Sequence, residues 1–103
     1  MTVYITQELR GRDFSDALSY GDLEIVIPAF MSVRTEDFDQ VVERAETVLA
    51  SFLEKDYLLL SGDPVCIGLS CAIAAYNNYG RYKVLRWDRL TQSYDEVQIS
   101  LED

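Results

Sequence analysis

The sequence YLLLSGDPVCIGLSCAIAAYNNY, residues 57–79, indicates a buried strand, a tight turn and an apolar helix in succession. Tyr57–Leu60 is a continuous apolar run, whereas a strand with one face in water alternates apolar and polar residues. The pair Ser61-Gly62 that follows is a typical turn signal. We therefore expect Tyr57–Leu60 to be a central strand that is covered on both faces of a sheet.

An apolar helix should follow this turn. Asp63 stands where an N-cap residue belongs, and Pro64 stands at the first helical position, where its missing N–H costs nothing. The helix should run to about Asn78, because Gly80 then ends it. Residues 65–75 contain no charged side chain and several small ones, so we expect this helix to pack on more than one side.

A second, amphipathic helix is predicted before the central strand. Thr35 is a candidate N-cap, and the acidic pair Glu36-Asp37 lies in the first turn, where the helix dipole favours anions. This helix should cover one side of a sheet with its apolar face and contact water with the other. The apolar residues that recur at spacings of three and four are Phe38, Val41, Val42, Ala45, Val48, Leu49 and Phe52.

Four further segments have the character of strands. Thr2–Gln7 and Leu23–Ile27 are short runs with β-branched and aromatic residues, and Arg81–Trp87 has an apolar centre. Asp95–Leu101 alternates apolar and polar residues, as a half-solvated edge strand does.

The connections between these segments are short. We expect Leu9–Tyr20 to be an irregular, polar connector that is anchored by Phe14 and Tyr20, and Ala29–Arg34 to be a loop. Asp88–Tyr94 is short enough for an antiparallel hairpin loop, although it contains no glycine.

The predicted order is β-β-α-β-α-β-β in a single α/β domain that spans residues 1–103. Two strand-helix-strand units imply right-handed parallel crossovers, and the last two strands add an antiparallel hairpin. We therefore expect a mixed, mainly parallel sheet with two helices, of Rossmann-like kind. We expect one core that consists of Val42, Leu49, Leu58, Leu59, Leu60, Ile67, Ile73 and Val84.

Composition and charge exclude several classes of function. The 103 residues are 49% hydrophobic, which is typical of a folded domain, and the net charge is −9. That charge would repel nucleic acid and anionic membranes, so we expect neither as a direct partner. The N-terminus MTVYITQE lacks the features of a secretion signal, and no apolar run is long enough to span a membrane, so we expect a cytoplasmic protein.

The inventory of catalytic and metal-binding residues is small. The chain has no histidine, and Cys66 and Cys71 lie on different sides of the apolar helix, so we expect neither a disulfide nor a zinc site. Burial in an apolar helix should raise the pKa of both thiols, which favours a structural role over a nucleophilic one. We therefore expect no cofactor and no enzymatic activity.

A ligand-binding candidate lies at the turn Ser61-Gly62-Asp63. Ligands of open α/β sheets collect beyond the carboxyl ends of parallel strands, and N–H groups at the start of a helix can hold an anion. Against this, the turn has one glycine and no lysine, and Asp63 already stands where a phosphate would bind. Helix capping is therefore the favoured role of Asp63.

A second candidate is a cluster of aromatic and basic residues near the fourth strand. Tyrosine, tryptophan and arginine supply much of the binding energy at protein interfaces. The alternative is a strand with one face in the core and basic side chains extended along the other, and the residues favour neither interpretation. The candidate interaction residues are Tyr79, Tyr82, Arg86, Trp87, Arg89 and Tyr94.

Residues 56–101 carry a resemblance to a known group of proteins. The motifs are the D-Y-L-L-x-x-G-D-P turn, the helix of small residues and L-x-W-D-R at the start of the hairpin. This segment resembles the C-terminal half of short proteins of unassigned function from short-tailed bacteriophages, including phages of marine bacteria. The first half of the chain shows no comparable match. The resemblance implies a viral protein made in the bacterial cytoplasm, and it implies no activity, cofactor or catalytic residue.

Two hypotheses about function follow. The first is a small non-enzymatic phage accessory protein that acts through protein contacts, either by self-assembly or by binding a host factor. The second is a small-ligand or nucleotide-binding module that uses the Ser61-Gly62-Asp63 turn. An exposed edge strand near Tyr82, Trp87 and Tyr94 further predicts a homodimer or small homo-oligomer.

Overall fold

The computed structural model of the protein describes residues 1–102. Over these residues the strands are β1 (Thr2–Gln7), β2 (Asp22–Ile27), β3 (Tyr57–Leu59), β4 (Arg81–Asp88) and β5 (Ser93–Ser100), and the helices are α1 (Phe38–Leu49) and α2 (Pro64–Asn77). The strands form one sheet in the order β2-β1-β3-β4-β5, in which all neighbours are parallel except the antiparallel pair β4-β5. This confirms the predicted α/β domain with a mixed sheet and a C-terminal hairpin.

Both helices lie on the same face of the sheet. The connections β2-α1-β3 and β3-α2-β4 step across the sheet in the same direction, and right-handed crossovers then place both helices on one side. The connection from β1 to β2 steps the other way, and its 3₁₀ helix, Ser15–Tyr20, packs on the opposite face. A doubly wound sheet has helices on both faces, so the Rossmann-like description is not confirmed.

The hydrophobic core consists of two clusters, one on each face of the sheet. Leu58 packs with Val41 and Leu49 of α1 on the helix face. Leu59 points the other way, because successive strand residues alternate, and packs with Ile5 on the second face. The expectation of one continuous core is therefore wrong. Of the residues expected in that core, Val42 and Ile67 are half-buried and belong to neither cluster of buried residues.

The start of α2 is as predicted, whereas the start of α1 differs. The Asp63 carboxylate accepts a hydrogen bond from the backbone N–H of Val65 at 2.8 Å, and Pro64 is the first helical residue. The predicted N-cap Thr35 instead begins a short 3₁₀ helix, Thr35–Asp37, and α1 starts after it. Asp37 accepts a hydrogen bond from the Ser32 hydroxyl at 2.7 Å rather than capping α1.

The connector and the hairpin loop are more regular than expected. The connector contains the 3₁₀ helix, and both of its predicted anchors hold: Phe14 is buried, and the Tyr20 hydroxyl donates to the backbone oxygen of Tyr94 at 3.3 Å. The hairpin loop is only residues 89–92, because Tyr94 lies within β5 opposite Trp87. Gln92 takes the positive φ, 52°, for which glycine is the usual residue.

Candidate functional site

The Ser61-Gly62-Asp63 turn lies at the carboxyl end of β3, next to the end of β1. These two strands flank the point where the chain changes direction across the sheet, which is where ligands bind in open α/β folds. The Thr6 hydroxyl donates to the backbone oxygen of Ser61 at 2.6 Å and accepts from its N–H at 2.8 Å. The side-chain oxygen of Gln7 accepts from the N–H of Asp63 at 2.7 Å.

These bonds fill the turn with side chains of the protein itself. Gly62 has φ +92°, and a Cβ at this position would overlap the Gln7 side chain. The N–H groups of Asp63 and Val65, which an anion would need, already have partners. One group differs: the Ser61 hydroxyl is buried and has no hydrogen-bond partner among the described residues. The geometry is that of a closed structural junction with one unpaired hydroxyl.

The predicted aromatic and basic cluster does not form one surface. Tyr82 and Tyr94 are each only 9% exposed, and they pack on opposite faces of the sheet. The Trp87 ring is half-buried against Tyr94, with ring centres 4.9 Å apart. The alternation of side chains along β4 therefore places Tyr82 on one face of the sheet and Trp87, with Tyr94, on the other.

The remaining residues of that predicted cluster are exposed but lie far apart. Tyr79 is 94% exposed and precedes β4, whereas Arg89 follows the other end of β4, about 25 Å away at ~3.3 Å per residue. Arg86 lies on the helix face, 3.7 Å from the carboxylate of Asp95. These residues are therefore separate surface groups.

The two cysteines have the environments that the sequence predicted. Burial raises the pKa of the Cys66 thiol and of the Cys71 thiol, as expected for thiols in an apolar helix. Within residues 1–102, no group of three or more metal-ligating side chains could hold a metal ion. In the same part of the chain, no helix has the length and apolar character needed to cross a membrane.

The outer face of α2 is a surface that sequence reasoning did not single out. It is defined by Val65, Gly68, Leu69, Ala72 and Tyr76, which recur at helical spacings of three and four. All of these except Leu69 are exposed, with Val65 at 60% and Tyr76 at 89%. The sequence signal was the uncharged run 65–75, but α2 is apolar on every side, so its pattern does not tell which side faces the sheet.

The boundary between α1 and α2, called the α1/α2 groove below, follows one side of this outer face and has a separate hollow near each end. Its two ends are hollows of about 400 Å³, beside Phe38 and Val65, and about 510 Å³, beside Glu46, Ala72 and Tyr76. The side chains of Asn77 and Asn78 donate to the backbone oxygens of residues 49 and 52 at 3.1 and 3.2 Å. These bonds join the C-terminal ends of the two helices and fix the width of the groove there.

The wall of the groove that α1 provides is acidic. Glu46 lines the larger hollow, and Asp39 and Glu43 lie on the same exposed side of α1, seven and three residues earlier. The one basic residue of α1, Arg44, lies on its other side, where its guanidinium donates to the backbone oxygens of β2 residues 25 and 26 at 3.2 and 2.9 Å. The α1/α2 groove thus has an apolar wall and an acidic wall.

Comparison with known proteins gives a phage relationship. No curated protein and no solved structure matches the chain. Residues 1–101 match the protein family described as Phage Pam3 gp32-like protein. The match includes the first half of the chain, so the phage resemblance is not confined to residues 56–101. Because it covers almost the whole sequence, the chain belongs to the Phage Pam3 gp32-like protein family.

Proposed function

We propose that the protein is a small phage accessory protein without enzymatic activity, which acts through contacts with other protein molecules in the cytoplasm of the infected bacterium. Family membership supports the phage setting. The finer setting, a short-tailed phage, is part of the proposal and rests on the motifs of residues 56–101.

The outer face of α2 is the observation that carries this proposal. A helix without a charged side chain is typical of a buried helix, yet α2 packs on the sheet and α1 and leaves Val65 and Tyr76 in water. Contiguous exposed apolar surface on a small domain is typical of an interaction site. A protein partner would bury this face.

The non-enzymatic part of the proposal is supported by chemistry. The chain has no histidine to act as a general base near neutral pH. The pKa of both thiols is raised by burial, and the thiol form is a poor nucleophile.

Purification from infected cells tests the proposal. A tagged wild-type chain should be isolated with a bound protein that native mass spectrometry detects, and Ala72→Gln should lose that protein. Asp63→Asn, which keeps the helix cap, serves as the control and should retain it. Isolation of the wild-type chain with a bound small molecule and no protein would contradict the proposal.

Self-association is supported by a separate observation at the sheet edges. Arg44 donates to the outward-facing backbone oxygen of Val26 in the edge strand β2, whereas β5, the other edge strand, carries exposed Gln98 and Ser100. An uncovered edge strand can pair with a second copy of itself. A homodimer through β5 would leave the α1/α2 groove free for a different partner.

Small-ligand binding at the Ser61-Gly62-Asp63 turn is the alternative function. The buried Ser61 hydroxyl favours it, because a buried polar group usually has a partner. The bonds from Thr6 and Gln7 favour the structural role of the turn.

A further inference from the structure

The two walls of the α1/α2 groove differ in charge, and this difference restricts what can bind there. The wall from α2 is uncharged from Val65 to Tyr76. The wall from α1 carries Asp39, Glu43 and Glu46, all exposed. A complementary ligand is apolar along one side and positively charged along the adjacent side.

We propose that the α1/α2 groove binds an amphipathic helix of another protein, with its apolar stripe against α2 and its lysine or arginine residues against the acidic wall of α1. This inference rests on the proposed function, because it names the class of partner that the exposed face of α2 takes.

The dimensions of the groove fit a helix. Val65 and Tyr76 mark its two ends and are separated by eleven residues of α2, or about 16 Å at 1.5 Å per residue. A bound helix that runs along the groove covers this length in about three turns, and anchor residues eleven positions apart reach both hollows. Between the hollows, Gly68 has no side chain and a Cβ on it would meet nothing within 4 Å, and Ala72, at the larger hollow, has only a methyl group. The partner's backbone can therefore approach α2 closely.

A second copy of this chain is a poor occupant. Each copy carries a net charge of −9. The exposed side of α1 is acidic, and α2 has no charged residue, so neither helix of the described residues 1–102 has an apolar stripe beside a basic one. Self-packing through the groove would bring acidic surfaces together, which is unfavourable.

Binding of designed peptides to the purified chain tests the inference. The probe is a synthetic helical peptide with leucines at positions i, i+4, i+7 and i+11 and lysines on the adjacent side. One control peptide has glutamate in place of lysine, and another has the same composition with the leucines scrambled. We expect the wild-type chain to bind the first peptide and neither control in a fluorescence anisotropy titration.

Two matched double variants distinguish the effect of the acidic residues in the groove from the effect of net charge. Glu43→Gln/Glu46→Gln removes two acids from the groove, and Asp22→Asn/Glu24→Gln removes two exposed acids from β2, so both variants have the same net charge. The groove variant should weaken binding by about tenfold and the β2 variant much less, since each surface ion pair contributes a modest amount. Ala72→Gln should also lose binding, with an unchanged melting temperature as the check on folding.

Three results would overturn the inference: no binding of the lysine peptide, equal losses in the two double variants, or conversion of a wild-type dimer to a monomer by Ala72→Gln. These failures are distinguishable from failure of the proposed function. If Ala72→Gln still loses the protein that is isolated from infected cells while the lysine peptide does not bind, then protein contact holds and the class of partner is wrong.

Discussion

The side-chain oxygen of Gln7 accepts a hydrogen bond from the backbone N–H of Asp63 at 2.7 Å, which joins the end of β1 to the start of α2. Thr6 makes two more bonds to Ser61 at the same junction. The position at which a ligand would bind in this fold is therefore occupied by the protein's own side chains. The outer face of α2 is therefore a better candidate for the functional site than the Ser61-Gly62-Asp63 turn.

Substitutions at Asp63 separate a cap from a ligand site. Asp63→Asn should leave the free energy of unfolding nearly unchanged, because asparagine caps as well, and Asp63→Ala should lower it by about 1 kcal/mol. Urea unfolding measures both values. A folded Asp63→Asn variant that has lost the protein's biological effect in infected cells would show that the carboxylate itself has a function.

Leu59 tests the second core cluster. Its side chain is fully buried between β1, β4 and the connector, so Leu59→Ala should lower the free energy of unfolding by about 2–5 kcal/mol. Val65→Ala is the control, because Val65 is exposed and its truncation should change stability little. Equal melting temperatures for wild type and Leu59→Ala would mean that the central strand is placed incorrectly.

Loss of the hydrogen bond between Tyr57 and Glu96 should make the folded state less stable at alkaline pH. The Tyr57 hydroxyl donates to Glu96 at 2.8 Å, and this bond, together with burial, raises the pKa of Tyr57 from 10.0 to about 12. The folded state then holds its proton more tightly than the unfolded state does. This contribution to stability is present below about pH 10 and is lost as the pH rises towards about 12.

Denaturant unfolding as a function of pH measures this effect. Tyr57→Phe should unfold with a smaller decline in free energy between about pH 10 and pH 12 than the wild type. Tyr76→Phe is the control, since Tyr76 is exposed, and it should follow the wild-type profile. Identical profiles for Tyr57→Phe and wild type would contradict the assigned hydrogen bond.

Because β5 is an edge strand, we expect the protein to self-associate through it, and we expect one added positive charge on β5 to weaken this association. Light scattering at tens of micromolar should give a mass above that of the monomer, and Gln98→Lys should lower it, because an edge lysine disfavours strand pairing. Gln40→Lys introduces the same charge on exposed α1 and should leave the mass unchanged. A monomer mass for the wild type would contradict the proposed homodimer.

Local sequence chemistry predicted the parts of the fold that depend on local bonds. The N-cap at Asp63 and the proline at position 64 place α2 correctly, because both act on residues next to them. The Thr35 prediction failed because a 3₁₀ helix satisfies the same backbone groups before α1 begins. The element order followed from hydrophobic periodicity.

Features that depend on which elements meet could not be predicted in the same way. The Ser15–Tyr20 3₁₀ helix covers the second face of the sheet, and the pairing of β4 with β5 places Tyr94 beside Trp87. No local sequence pattern indicates either arrangement. From the sequence, Trp87 and Tyr94 were therefore both candidates for an interaction surface. The acidic side of α1 lies beside the apolar face of α2 because the two helices are neighbours. That arrangement follows from the order of the strands in the sheet, which the sequence alone does not give.

A photo-crosslinking amino acid placed at Tyr76 during infection tests whether the outer face of α2 contacts a protein partner. Tyr76 is an exposed aromatic residue of the groove, and Phe30 is an exposed aromatic residue in the loop after β2, so the two positions form a matched pair. We expect a crosslink to another protein from position 76 and none from position 30. A crosslink from position 30 alone, or from neither position, would contradict this expectation.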